Sequence, residues 1–213
     1  MVKLLAQKVH RYKHFIRMYN FSLICIYTYD NKKTNTLLII NNNKIYMYMY
    51  IYRPGHANDH VALLHRGAGG MFTGDNVLGV GTSVFRDLYE YMNSLNKMKD
   101  AAVKDNVVQL YTSHGPLVNN GIDKFTEYIK HRETRIAQVQ QTVMNGPKDG
   151  LNCYEITKLI YVDTPSHLIP PASRNTMLVV LKLEKDGVLR RGKEDTSKDP
   201  MTGIQWVISK AKY

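Results

Sequence analysis

Three short segments, each joining a metal-capable side chain to a glycine, constrain this chain more than any other feature. They are Pro54–His60, which reads Pro-Gly-His-Ala-Asn-Asp-His, then Gly74-Asp75, and then His114-Gly115-Pro116. Glycine and proline interrupt regular elements, so each segment is predicted at a strand end, where side chains from neighbouring strands can converge. Imidazole nitrogen and carboxylate oxygen are the ligands that zinc takes. The three segments therefore indicate a metal site.

The candidate ligands are His56, Asp75 and His114. Two zinc ions can share a bridging carboxylate and a hydroxide that attacks an ester or a phosphodiester, and Asp75 is the candidate for that catalytic, bridging role. Taken singly, a His beside glycine is more often a loop residue, and Gly-Asp is common in turns. The order and contexts of the three residues together make the prediction more specific than any one motif. Asp59 and His60 are candidates for groups that orient the ligands.

Hydrophobic periodicity predicts alternating strands and helices after Arg53. We expect Val84 to lie on the apolar face of the first of these helices, together with Leu88 and Leu95. Gly146-Pro147 is expected to end the second helix. The predicted strands cover 60–65, 71–73 and 107–111, and the predicted helices cover 84–98 and 122–144.

The pattern changes after Gly150 to that of a small helical module with a hairpin. Asn152 is a candidate N-cap with Glu155 at the capping-box spacing, and Gly187 is a candidate C-cap. A second helix is predicted over 172–186, followed by strands over 188–191 and 205–208. Helix, helix and hairpin is the order of a winged helix, a variant of the helix-turn-helix.

Five cations in this module are candidates for contacts to RNA phosphates. Acidic residues interrupt them, which is also typical of an ordinary solvated face. Both interpretations stay open at this stage. The five candidates are Lys182, Lys185, Arg190, Arg191 and Lys193.

The net charge of +11 is unevenly distributed. Residues 1–53 hold nine Lys and Arg against one acid, Asp30, whereas residues 54–213 hold twenty against seventeen. The basic balance, which would ordinarily indicate a nucleic-acid partner, therefore belongs mostly to the N-terminal segment.

Residues 28–52 consist almost entirely of Asn, Lys, Ile, Tyr, Met, Thr and Leu, and end in alternating Tyr and Met. Asn, Lys, Ile and Tyr can be encoded by A and T alone, so we hypothesise that this segment is non-coding DNA read through as protein. The alternative is a real β-rich segment, because aromatic and β-branched residues favour strands. We expect an atypical segment over 1–52, poorly ordered or artefactual, then a partial hydrolase domain over 53–146 and a winged helix over 147–213.

The motifs resemble those of the metallo-beta-lactamase superfamily, and within it those of the beta-lactamase-like protein 2 family. The Pro54–His60 segment is similar to the third metal motif, Gly74-Asp75 to the bridging aspartate, and His114-Gly115-Pro116 to the last histidine. Residues 74–95 and 128–135 and the C-terminal module are also similar to that family. The resemblance implies an α/β fold, here a partial αββα sandwich (its C-terminal half) followed by a small winged-helix domain.

The resemblance further implies a zinc-dependent endoribonuclease that cleaves single-stranded RNA in the mitochondrial matrix. His56 would bind the first zinc, Asp75 would bridge both, and His114 would bind the second. The superfamily signature His-x-His-x-Asp-His is absent from the sequence. A catalytic zinc normally has three protein ligands of its own, so we expect at most one weak zinc site and little activity from this chain.

Two other functions remain open. A catalytically inactive nucleic-acid-binding remnant is favoured by the absent signature, and a glyoxalase II-like thioester hydrolase is disfavoured by the winged helix. The basic, acid-free residues 1–20 are similar to an organelle transit peptide but lack its serine enrichment, so a cytoplasmic location is the alternative. Cys25 and Cys153 form no disulfide framework and indicate a reducing compartment. No stretch reaches the roughly 18 apolar residues that a membrane span needs.

Overall fold

The computed structural model describes residues 28–31, 34–41, 44–52, 55–57, 60–65 and 68–209. These residues form two compact units. The first comprises the described residues up to Val84 together with Ser94–Thr126, and the second comprises Phe85–Asn93 and the described residues from Glu127 onward. The boundaries predicted after residues 52 and 146 stay a prediction. No helix in the described part of the chain is both long and apolar enough to cross a bilayer.

A six-stranded sheet forms the framework of the first unit. Its strands follow one another in chain order, each antiparallel to the next until the last pair, which is parallel. A parallel pair needs a long crossover connection, and residues 75–108 supply it. The strands are β1 (Thr28–Asn31), β2 (Thr34–Asn41), β3 (Lys44–Tyr52), β4 (Val61–His65), β5 (Gly70–Gly74) and β6 (Gln109–Thr112).

The three strands predicted after Arg53 are confirmed, with limits that shift by one or two residues. Residues 28–52 hold three strands, as in the β-rich alternative. The read-through hypothesis concerns the transcript and stays a prediction. Sequencing the message across the codons for 28–53 tests it, since a spliced message lacking them is the expected result.

The two faces of β4, β5 and β6 differ in burial. Leu64, Met71 and Leu110 are fully buried on one face. Phe72 and Tyr111, one position further along their strands, are 40% and 39% exposed, and their rings stack with centroids 4.7 Å apart. This follows from the two-residue repeat of strands, which sends successive side chains to opposite faces.

Two long helices supply many of the other buried apolar side chains. They are α1 (Leu88–Lys104) and α2 (Gly121–Met144). The second agrees with the predicted 122–144. The prediction of 84–98 for the first was wrong at both ends. The helix continues to Lys104, and it begins only at Leu88 because the Asp87 carboxylate accepts a hydrogen bond from the Glu90 N–H at 3.1 Å and caps the helix there. Val84 therefore precedes the helix and is 75% exposed rather than part of its apolar face.

The second unit contains the predicted order of helix, helix and hairpin. The capping box of Asn152 and Glu155 is confirmed in both of its hydrogen bonds. Gly187 has a φ of 75° and its N–H donates to the Glu184 carbonyl, which ends the second helix as predicted. The elements are α3 (Cys153–Ile160), a 3-10 helix (Ser166–Leu168), α4 (Ile169–Lys185), β7 (Leu189–Glu194), the single turn α5 (Pro200–Gly203) and β8 (Ile204–Ile208).

Trp206 is the largest fully buried side chain of the hairpin. The backbone of Trp206 also exchanges two hydrogen bonds with Leu151, at 3.2 and 2.9 Å, so the loop before α3 is tied to β8. The helix predicted over 172–186 begins earlier, at Ile169, because Pro170 and Pro171 occupy the first turn, where no intrahelical N–H donor is required.

Candidate metal centre

The three predicted metal ligands meet at one point of the first unit, with Asp75 between the two histidines. His56 Nε2 lies 3.4 Å from Asp75 Oδ2, and His114 Nε2 lies 3.5 Å from Asp75 Oδ1. Asp75 follows β5 and His114 follows β6. Because these two strands are parallel neighbours, their C-terminal ends are adjacent, and the two side chains come together although they are far apart in the sequence.

The ring of His56 is held in one tautomer by the protein. Its Nδ1 lies 2.7 Å from the Val84 carbonyl oxygen, which can only accept, so Nδ1 carries a proton. In the neutral ring, Nε2 then has its lone pair available beside Asp75. A metal-binding histidine characteristically donates its other ring nitrogen to a carbonyl or carboxylate in this way.

Asp75 is anchored by three neighbours. The Ser113 hydroxyl donates to its carboxylate, the Ser83 hydroxyl donates to its backbone carbonyl, and its own N–H donates to His60 Nε2 at 3.1 Å. The hydrogen bond from Ser113 contributes most to lowering the pKa of Asp75, and the histidines on either side lower it further against the opposing effect of burial. The carboxylate is therefore ionised at neutral pH.

Gly74 allows the contact between Asp75 and His60. Its φ is +53°, in the left-handed region that favours glycine. A Cβ at this position would lie 2.6 Å from His60 Nε2, so any other residue would displace the ring. The suggestion that His60 orients a ligand stays a prediction, although the ring does contact the Asp75 backbone. Asp59 lies outside the described residues.

A second close approach fixes the loop that carries His114. The Gly79 N–H donates to the His114 carbonyl at 2.8 Å. A Cβ on Gly79 would lie 2.2 Å from the Pro116 carbonyl oxygen, and one on Gly115 would lie 2.5 Å from the Val80 nitrogen. The two loops thus pack backbone against backbone, which holds His114 near Asp75.

The donor types suit a zinc ion, because two imidazoles and a carboxylate are a known catalytic ligand set. Their arrangement is different, since Asp75 shares its two oxygens between two separate imidazoles. In the part of the chain that the structure describes, no group of three or more His, Cys, Asp or Glu side chains is arranged to hold a metal ion. The three residues therefore fit one ion only if their side chains rearrange, and they do not suffice for two.

Sequence reasoning missed Ser83 and Ser113 as parts of this site. Ser113 stands directly before His114 in the sequence, but no sequence pattern indicates that its hydroxyl donates to the Asp75 carboxylate. Ser83 carried no signal, because a serine in a glycine-rich loop is ordinary.

Three of the five cations predicted to bind nucleic acid are in ion pairs within the second unit. Lys185 lies 2.8 Å from Asp87, and Arg191 lies 2.9 Å from Glu184. Lys182 pairs with Asp186 one helical turn away. Arg190 and Lys193 form no ion pair with a carboxylate of the described residues. Both line a groove beside the hairpin.

Comparisons with known proteins agree with this architecture. Residues 154–198 match the model of the beta-lactamase associated winged helix domain. The chain is 38% identical over 143 residues to the beta-lactamase-like protein 2 homolog of Drosophila melanogaster, covering 67% of this chain and 47% of that protein. It is 36% identical over 148 residues to the homolog of Caenorhabditis elegans, covering 70% and 48%.

Among solved structures, the chain resembles a metallo-beta-lactamase family protein from Thermus thermophilus. The TM-score is 0.56 at 19% identity, with 80% of this chain and 52% of that chain covered. This likeness establishes the fold. The chain spans about half the length of the relatives that it matches.

Proposed function

Since this chain carries the C-terminal part of a metallo-beta-lactamase fold and a beta-lactamase associated winged helix, we propose that it contributes half of the active site of a zinc-dependent hydrolase. The proposed substrate is the phosphodiester backbone of single-stranded RNA. The proposed location is the mitochondrial matrix. The observation that carries the proposal is the convergence of His56, Asp75 and His114 at the ends of β5, β6 and the segment before β4.

The residues have distinct roles in this proposal. His56 presents its Nε2 to Asp75, because its Nδ1–H donates to the Val84 carbonyl and fixes the orientation of the ring. Asp75 supplies an ionised carboxylate, held in place by Ser113. His114 is 70% exposed on its side chain, so it can adjust its position most easily of the three. A bound zinc would supply a hydroxide nucleophile at neutral pH.

A non-catalytic nucleic-acid-binding role is the second candidate. It is supported by the absence, within the described residues, of a three-ligand group arranged for a metal. Fold resemblance alone does not establish activity. The thioester hydrolase alternative is less well supported, because the winged helix gives the chain a module suited to a polyanionic substrate.

The test uses the full chain and two measurements on each variant. Zinc binding is measured by calorimetry, and cleavage of a fluorogenic single-stranded RNA is measured with and without added zinc. We expect weak zinc binding and little cleavage from the unmodified chain, and Asp75→Asn and His114→Ala are expected to remove what remains of both. His167→Ala is the matched control, because His167 is an exposed histidine of the second unit and is not among the residues of the site.

The outcomes separate the two candidate functions. Zinc binding and cleavage that depend on Asp75 support the hydrolase. A chain that binds RNA but neither binds zinc nor cleaves supports the binding protein. Cleavage that is unchanged in Asp75→Asn would refute the assignment of this site.

A further inference from the structure

The hairpin of the second unit borders an open groove of about 520 Å³ that is separate from the candidate metal centre. Three cations line it, together with the carboxylates of Asp149 and Glu155. One of those carboxylates is already engaged, since Glu155 accepts the Asn152 N–H at 2.9 Å in the capping box. The three cations are Lys148, Arg190 and Lys193.

These three cations differ from the other basic residues of the hairpin region. Lys182, Lys185 and Arg191 each pair with a carboxylate. Lys148, Arg190 and Lys193 are exposed and, among the residues that the structure describes, take part in no ion pair. A ligand anion can therefore contact them without displacing an internal carboxylate, whereas the paired cations would first have to lose a partner.

A β-bulge explains why Arg190 and Lys193, which are three positions apart on β7, share the groove. Side chains of a strand alternate between faces, so Arg190 and Gly192 lie on one face and Arg191 on the other, where its guanidinium lies 5.8 Å from the Trp206 ring. The pairing of β7 with β8 shifts register between Arg191 and Glu194. Such a bulge can re-aim a side chain, and Lys193 lines the groove together with Arg190.

Two glycines, Gly150 and Gly192, line the groove together with its side chains. Gly150 has a φ of 92°, and a Cβ there would lie 2.6 Å from the Trp206 carbonyl oxygen. Gly192 is also in the lining, and a Cβ there would lie 3.3 Å from the Gln205 carbonyl oxygen. The remaining lining is Pro147, Leu151, Gln205 and Val207, and no aromatic ring is among the lining residues of the groove.

We propose that this groove binds consecutive backbone phosphates of a single-stranded nucleic acid through Lys148, Arg190 and Lys193. The choice of a nucleic acid as ligand rests on the proposed function. Arg and Lys are the side chains that contact phosphate oxygens most directly. Because no lining ring offers a base a stacking surface, binding is independent of base sequence, and RNA and DNA strands of equal length bind alike.

The test measures salt dependence as well as affinity. Each contacted phosphate contributes about −0.7 to the slope of log affinity against log salt for a single strand. Replacing all three cations by glutamine in the full chain is therefore expected to reduce the slope by about 2. At 0.1 M salt, the loss of these three phosphate contacts is expected to weaken the affinity about a hundredfold. Binding is followed by fluorescence anisotropy of labelled oligo-U and oligo-dT in EDTA, so that metal plays no part.

The matched control removes the same charge elsewhere. Lys97, Lys104 and Lys130 are exposed and lie outside the groove, and their replacement by glutamine is expected to leave the slope nearly unchanged. The single variants Arg190→Gln and Lys193→Gln, each with an expected slope change of about 0.7, serve if the triple variant does not fold.

Equal slopes for the groove and control variants would overturn the inference, as would wild-type protein that binds neither strand. Binding to anionic vesicles in preference to both strands would overturn it too. Cleavage of RNA by a chain whose groove variants bind normally would leave the proposed hydrolase standing without the groove. Nucleic-acid binding that depends on the groove, in a chain that never cleaves RNA, would support the groove and leave the proposed hydrolase without support.

Discussion

Replacing Gly74 by alanine should destabilise the first unit by more than its backbone conformation alone explains. A left-handed conformation costs an ordinary residue about 1–2 kcal/mol, and Gly74 has a φ of +53°. The new Cβ would also lie 2.6 Å from His60 Nε2. The ring must then move and lose its hydrogen bond from the Asp75 N–H, a further loss of about 1 kcal/mol.

Gly81 provides the control for this substitution. Its φ is +77°, and a methyl group there would meet no described atom within 4 Å. Gly81→Ala therefore carries the backbone penalty without the contact. In urea denaturation followed by circular dichroism, Gly74→Ala is expected to lower the free energy of unfolding by about 1 kcal/mol more than Gly81→Ala does.

A double-mutant cycle identifies the cause of the difference. In a His60→Ala background the ring is gone, so Gly74→Ala should cost no more than Gly81→Ala. Additive effects of His60→Ala and Gly74→Ala would refute the argument, because residues that share a contact are expected to couple.

Three other predictions concern stability and reactivity. Burial raises the pKa of the Cys153 thiol to about 12. As pH rises, the thiol ionises first in the unfolded chain, so this contribution to the free energy of unfolding is complete below pH of about 9 and is lost between pH of about 9 and 12, at up to about 1.4 kcal/mol per pH unit. Denaturation measured at successive pH values should show that Cys153→Ala removes this pH dependence. A pH dependence that persists in the variant contradicts the assignment to Cys153. Asn152→Ala should lower the free energy of unfolding by about 1 kcal/mol through loss of the helix cap, measured by thermal melting, and no change would show that the cap is dispensable. Val84→Asp should change it by less than about 0.5 kcal/mol, because the side chain is 75% exposed, and a large loss would mean that Val84 is buried in solution.

The features that depend on neighbours in sequence could be predicted, and those that depend on distant partners could not. The capping box of Asn152 and Glu155 and the end of α4 at Gly187 follow from local chemistry. The start of α1 was placed too early because Val84 continues the apolar spacing, whereas Asp87, the actual cap, was overlooked.

The candidate site shows the same limit. His56, Asp75 and His114 were identifiable from their motifs and do meet in the structure. The tautomer of His56 depends on the Val84 carbonyl, 28 positions away, and no sequence pattern indicates it. Likewise, Lys185 was predicted to contact a phosphate, but it forms an ion pair with Asp87, which lies 98 positions earlier in the sequence. Its charge is therefore neutralised within the protein.

The parallel pairing of β5 with β6 has a consequence for the order in which the protein folds. The antiparallel strands from β1 to β5 are neighbours in the sequence, and short loops connect them. By contrast, β6 can pair with β5 only after the long segment 75–108 has folded back. Closing longer loops costs more chain entropy and slows folding. His114 lies just beyond β6, so we expect it to reach Asp75 only in this late step. In a refolding experiment, a probe of the contact between His114 and Asp75 should therefore change with the slowest phase of the first unit.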